Sequence, residues 1–131
     1  MSISPVKIFN QILDEFFIEL IEIFPEEKQI QIKYNLFQTL CKANIKKPCT
    51  NFMIGSINYL EYIASRDEKI FIGDNKPEIL NDIGVSNIWP KCSTNTKDTI
   101  WKYIKTLITI GYKIIDMPED SHPLVEYIIN N

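Results

Sequence analysis

Between Ser4 and Phe24 apolar side chains recur at steps of one, three and four, through Phe9, Ile12, Leu13, Phe16, Phe17, Leu20 and Phe24, while Asp14, Glu15, Glu19 and Glu22 occupy the remaining surface. That period predicts an amphipathic α-helix with one face turned inward. Ser4 followed by Pro5 marks its start, because the serine oxygen caps orphan backbone N–H groups and proline is preorganised for the first helical position. Pro25 is expected to open a second helix, with Glu26 and Glu27 in the first turn where the helix dipole favours negative charge. Ile30, Tyr34, Phe37, Leu40 and Cys41 carry its inward face. The two helices should form a hairpin with almost no loop.

The string KANIKKPC reads as a connection, and Pro48 as the start of a third helix in which Phe52, Ile57, Leu60 and Ile63 repeat at helical spacing beside Tyr59 and Tyr62. It is expected to end around Ala64 to Arg66. Gly55 weakens such a helix by roughly 1 kcal/mol relative to alanine, which suggests a close approach by a neighbouring helix. Residues 67–95 carry the least regular pattern. Asp67 to Ile72 is expected to be irregular or helical, because a lone short strand without a partner is unstable. Lys76-Pro77-Glu78 predicts a short helix through Asp82, and Gly84 and Pro90 punctuate the stretch beyond it. Ser93 or Thr94 caps the last long helix, whose stripe is Ile100, Trp101, Ile104, Leu107, Ile108 and Ile115, and which should dock across the first two. Ser121 and Pro123 start a short terminal helix packing Leu124, Tyr127 and Ile128. The expected fold is all-α: a compact single-domain bundle, residues 1–131, of four main helices plus one or two short ones.

Composition supports a folded chain: 45% of the 131 residues are apolar and charged residues of both signs are present. The longest apolar stretches, Phe16 to Leu20 and Leu107 to Ile110, are broken by Glu19 and Thr109. They fall far short of the roughly 18 to 20 residues of a membrane span. The opening MSISPVKIFN lacks the features of a secretory signal, so an intracellular location is expected. The abundance of isoleucine, asparagine and lysine suggests an AT-rich genome.

Candidate chemistry is sparse. Cys41, Cys49 and Cys92 form no CxxC pair and His122 is the only histidine, so free thiols are expected and no zinc site. Glu15, Glu19 and Glu22 share a helix face, as Glu26 and Glu27 share a turn, but a metal site there would need ligands from facing helices. Asp67, Glu68 and Asp74 lack the EF-hand pattern. Cys49, after Lys46, Lys47 and Pro48 at a helix start, is the best placed nucleophile, although packing or capping is the preferred role. Neither a cofactor nor a small-molecule substrate is expected.

Charge is segregated, although the net is only −3. Lysines gather at Lys28, Lys33, Lys42, Lys46 and Lys47, and again at Lys91, Lys97, Lys102, Lys105 and Lys113, while carboxylates concentrate at 14–27 and 116–126. Lys97, Lys102, Lys105 and Lys113 on the last long helix, with Trp101 and Tyr103 interleaved, are the candidate contacts for an acidic protein or a phosphate backbone. Arginine occurs once, as Arg66, which favours the protein over the nucleic acid. Trp89 is expected to be a cap over the core or an anchor for a partner.

FFIELIEIFPEE near the start, DEKIFIGD in the middle and TIWKYIKTLITIGYKI near the end resemble a family of small, uncharacterised helical proteins of large nucleocytoplasmic (giant) DNA viruses of protists and algae. The resemblance runs from Phe16 to about Ile114 and omits Asn75 to Asn95. It implies a viral intracellular protein of the virion or the cytoplasmic replication compartment, and supplies no catalytic residues. The expectation is a non-enzymatic structural or interaction protein that binds another protein or itself. The alternative is a nucleic-acid-associated factor using the lysines of the last long helix.

Overall fold

Ser4 stands where a helix needs an acceptor. In the computed structural model, which describes residues 4–72 and 83–131, its Oγ accepts from the Lys7 N–H at 3.3 Å and α1 spans Pro5–Ile23. The stripe of α1 is buried at Phe9, Leu13, Phe16, Phe17 and Leu20, each such side chain contributing about 1.5–3 kcal/mol over an exposed one. Phe24 leaves the helix but stays buried, its N–H on the Leu20 carbonyl at 2.9 Å.

Pro25 does not open the second helix. Pro25 and Glu26 form a turn, and α2 spans Lys28–Ala43 with Glu27 at its N-cap. The Glu27 carboxylate makes no capping bond, and pairs instead with Lys91 from a distant part of the chain. On α2, Ile30 and Phe37 are buried, and Tyr34, Leu40 and Cys41 are half-buried. The Tyr34 hydroxyl donates to Asp14 at 2.7 Å, tying α2 to α1.

α3 spans Lys47–Ser56 with Pro48 in its first turn. The single helix expected as far as Ala64 is broken: Ile57–Tyr59 forms a 3₁₀ turn, and α4 follows at Leu60–Ala64. Buried Ser56 donates to the Phe52 carbonyl at 2.7 Å, and the Ile57 N–H bonds the Ile54 carbonyl. Such back-bonding bends a helix, and the tightened bond changes its pitch. α4 ends in a Schellman motif, with the Asp67 N–H on Tyr62 at 2.8 Å and the Arg66 N–H on Ile63 at 3.2 Å. Arg66 holds the left-handed position, φ 52°, that glycine usually occupies.

Glu68–Ile70 is a 3₁₀ turn capped by Asp67, so the helical alternative holds here. The short helix expected over 76–82 lies outside the described residues. Gly84, φ +92°, precedes α5 at Val85–Ile88, and Trp89–Lys91 turns through Pro90. Ser93 caps α6, Thr94–Tyr112, accepting from the Thr96 N–H at 3.1 Å. Ile100, Trp101, Ile104, Leu107 and Ile108 are buried, while Ile115 lies beyond the helix and is half-buried. α6 packs chiefly on α1, then on the terminal helix α7, His122–Asn130, and on α3, rather than across α1 and α2. A close helix approach occurs at Gly111, where a Cβ would stand 2.8 Å from Met53 Cγ. On α7 the buried residues are Val125 and Ile128; Tyr127, expected to pack, is exposed.

The fold is all-α, a compact helical bundle with no strand among the described residues. Among the described residues the buried apolar side chains form one cluster that reaches each of α1 to α7.

Candidate functional site

Trp89 is core, not an exposed anchor. It is 2% exposed, stacks on Phe71 at 4.0 Å and meets Trp101 edge-on at 5.8 Å. Of its two expected roles the packing one is realised.

The lysines of α6 do not make one basic face. Lys97 lies over the Trp89 ring at 5.1 Å and pairs with Glu68 at 3.5 Å. Lys102 pairs with Asp98 at 3.0 Å, and Arg66 reaches the same carboxylate at 2.8 Å. The hydrogen bonds from Lys102 and then Arg66 hold the Asp98 carboxyl below its ordinary value. Lys105 is half-buried in a polar cleft of about 320 Å³ with Arg66, Trp101 and Tyr127. Lys113 is exposed at the C-cap of α6. Two of the four candidate phosphate contacts are thus already opposed by carboxylates.

Cys49 is fully buried, and desolvation pushes its thiol up to about 11, overriding the opposing pull of Lys46. Its side chain is part of the core cluster. Cys41 and Cys92 are also free thiols, both raised by burial. The His122 ring contacts the Met117 carbonyl at 3.1 Å and meets Tyr112 edge-on at 5.4 Å. Glu19 accepts from the Tyr103 hydroxyl at 2.6 Å. Among the described residues no three His, Cys, Asp or Glu side chains converge as metal ligands, and no helix is long and apolar enough to cross a membrane.

An apolar concavity that the sequence did not anticipate lies between α1, α2 and α3. It is a groove of about 210 Å³ whose floor is Leu13 and Phe17 of α1 and Phe37 of α2. Leu36 and Leu40 of α2 form one wall, Pro48 and Asn51 of α3 the other, with Lys33 and Ile83 completing it. Leu36 is 64% exposed, Ile32 one turn before it 49%, and Ile54 one turn beyond Asn51 57%. Gly84 shapes one end: a Cβ there would touch Ile30 Cγ1 at 3.3 Å and Lys33 Cδ at 3.4 Å. The signal lay in α2, where Ile30, Ile32, Tyr34, Leu36, Phe37 and Leu40 are too many apolar side chains for one inward stripe, so some must face out.

Solvent-exposed apolar edges around a concave floor suit docking of another macromolecular surface. No protein-family model matches this chain, and neither does any curated protein or solved structure.

Proposed function

We propose that this chain is a non-enzymatic interaction protein that receives an apolar surface in the groove between α1, α2 and α3. The observation that carries this reading is Leu36, a large aliphatic side chain 64% exposed directly beside buried Phe37 at the mouth of the groove. Leaving such a residue in water forfeits about 1.5–3 kcal/mol of burial, which a docked partner would recover. The resemblance to small helical proteins of large DNA viruses supports a role in the virion or the cytoplasmic replication compartment. The nucleic-acid reading is the weaker one, because Lys97 and Lys102 are engaged by Glu68 and Asp98.

Affinity purification of the tagged protein from its native cell or virion, with and without nuclease, tests the reading against Leu36→Asp. Protein partners that survive nuclease and vanish with Leu36→Asp are expected. Partners indifferent to Leu36→Asp, or lost with nuclease, would overturn it.

A further inference from the structure

Charge divides along adjacent helices. Residues 8–27 carry six carboxylates and no lysine or arginine; residues 28–60 carry five lysines and no carboxylate. The second stretch builds two walls of the groove. Lys33 lines it, and Lys28 and Ile32 extend the Leu36 edge toward the start of α2 by steps of four. Lys47 and Ile54 likewise extend the Asn51 edge of α3 by one turn either way. The groove is therefore apolar in its middle with lysines at its ends. The stem of Lys33 passes beside Gly84, where an added Cβ would stand 3.4 Å from its Cδ.

The outward face of α1 is the reverse of this. Glu15, Ile18 and Glu22 are exposed at steps of three and four, with Glu19 beside them and Ile23 following. Ile18 is 40% exposed and Ile23 42%, so an aliphatic centre has carboxylates one turn to either side. Asp14, Glu19 and Glu27 are engaged by Tyr34, Tyr103 and Lys91, whereas Glu15 and Glu22 make no ion pair among the described residues. This ridge points away from Leu13 and Phe17, which floor the groove, so one molecule can present both surfaces at once.

We infer that the occupant of the groove is the α1 ridge of a second copy of this chain, with Ile18 seated among Leu36, Leu40 and Ile54 and its flanking glutamates facing the lysines. The inference rests on the docking reading above and names the partner. A strand would find no edge to pair with, since the walls are helices whose backbone groups bond internally. Because groove and ridge face opposite sides of the molecule, two copies cannot seat both contacts reciprocally, so the contact is head-to-tail and generates chains or rings rather than a closed two-fold dimer.

Sedimentation velocity of the full chain tests it at low and high salt. Association is expected to rise with concentration beyond the dimer and to weaken about tenfold or more at high salt, where rim charges are screened. Leu36→Asp blocks the groove and Ile18→Lys the ridge; both sites are exposed, and circular dichroism checks that each variant folds. Each variant alone should be monomeric, while an equal mixture should recover one contact per pair and form a heterodimer but nothing larger. A wild type monomeric throughout, a single variant that still associates, or a mixture that stays monomeric would each overturn the inference. A monomeric wild type whose protein partners in the purification above still depend on Leu36 would leave docking intact and assign the groove to a different protein.

Discussion

Replacing Gly111 by alanine should destabilise the protein, although the same change in an ordinary helix would strengthen it. Alanine in place of glycine gains at most about 1 kcal/mol of helix propensity, and Gly111 has no left-handed backbone to lose. The added methyl would stand 2.8 Å from Met53 Cγ, and Met53 is fully buried with no route to solvent. Carbon atoms rest at about 3.5–4.0 Å, and forcing a methylene into a filled core costs about 1–3 kcal/mol. The net expectation for Gly111→Ala is a loss of about 1 kcal/mol. Met53→Ala alone should cost about 2–5 kcal/mol through the cavity it leaves. On that background the alanine methyl enters vacated space, so Gly111→Ala should become stabilising by about 0.5–1 kcal/mol. The sign reversal amounts to a coupling of about 2 kcal/mol, within the range found for residues in contact. Urea unfolding of the four proteins, followed by far-ultraviolet circular dichroism, measures it. If Gly111→Ala stabilises equally with and without Met53, the close packing of α6 on α3 is refuted.

Alkaline stability offers a second test. The hydrogen bond to Asp14, then burial, pushes the Tyr34 hydroxyl up to about 12; burial, then Glu19, raises that of Tyr103 as well. A raised phenol favours the neutral form in the folded state, so this contribution is complete below pH 10 and is lost as pH rises from 10 through about 12. The Tyr34→Phe, Tyr103→Phe variant should lose stability less steeply in that window; an unchanged slope from pH-dependent urea midpoints would contradict the two bonds. For the thiols, a neutral-pH probe with mass mapping should label half-buried Cys41 and Cys92 before Cys49, which should react only on unfolding; rapid native labelling of Cys49 would place it at the surface. Arg66→Gly should be more stable than Arg66→Ala by up to about 1 kcal/mol, since both lose the exposed pair with Asp98 and only glycine removes the left-handed penalty; equal thermal midpoints for the two would argue against φ 52° at Arg66.

Local signals were legible and long-range ones were not. Ser4-Pro5 and Ser93 carry their own acceptors for the N–H groups three residues on, so both long helices begin where the residues alone place them. The Pro25 start failed because Phe24 to Glu27 close a turn of their own, the Glu27 N–H on the Phe24 carbonyl at 3.0 Å, before α2 begins at Lys28; the partner of Glu27, Lys91, is 64 residues away and no local pattern reveals it. The break at Ile57 left the apolar period intact while the hydrogen bonding shifted beneath it, through Ser56 and Ile54. Gly111 reads in the sequence as any helical glycine, and only the packing of α6 against Met53 sets it apart. Trp89 was ambiguous for the same reason, since its neighbours Phe71 and Trp101 come from other elements. The groove was hidden in a surplus: periodicity counts apolar positions but does not say which of Ile32, Leu36 and Leu40 the fold leaves outside.

Trp89 and Trp101 are both tryptophans of the chain, and they touch. Intrinsic fluorescence therefore samples a single neighbourhood, the junction of Phe71, the turn at Pro90 and the first half of α6. Loosening confined to the α1–α2 hairpin would be dark to that emission yet visible as lost helix signal, so agreement between the two optical transitions becomes a direct test of all-or-none unfolding. Two indoles in edge-on contact also couple excitonically, adding a signed band to the far-ultraviolet spectrum that helix content alone would not produce. Trp89→Phe removes the coupling and turns the surviving indole into a clean single-site reporter.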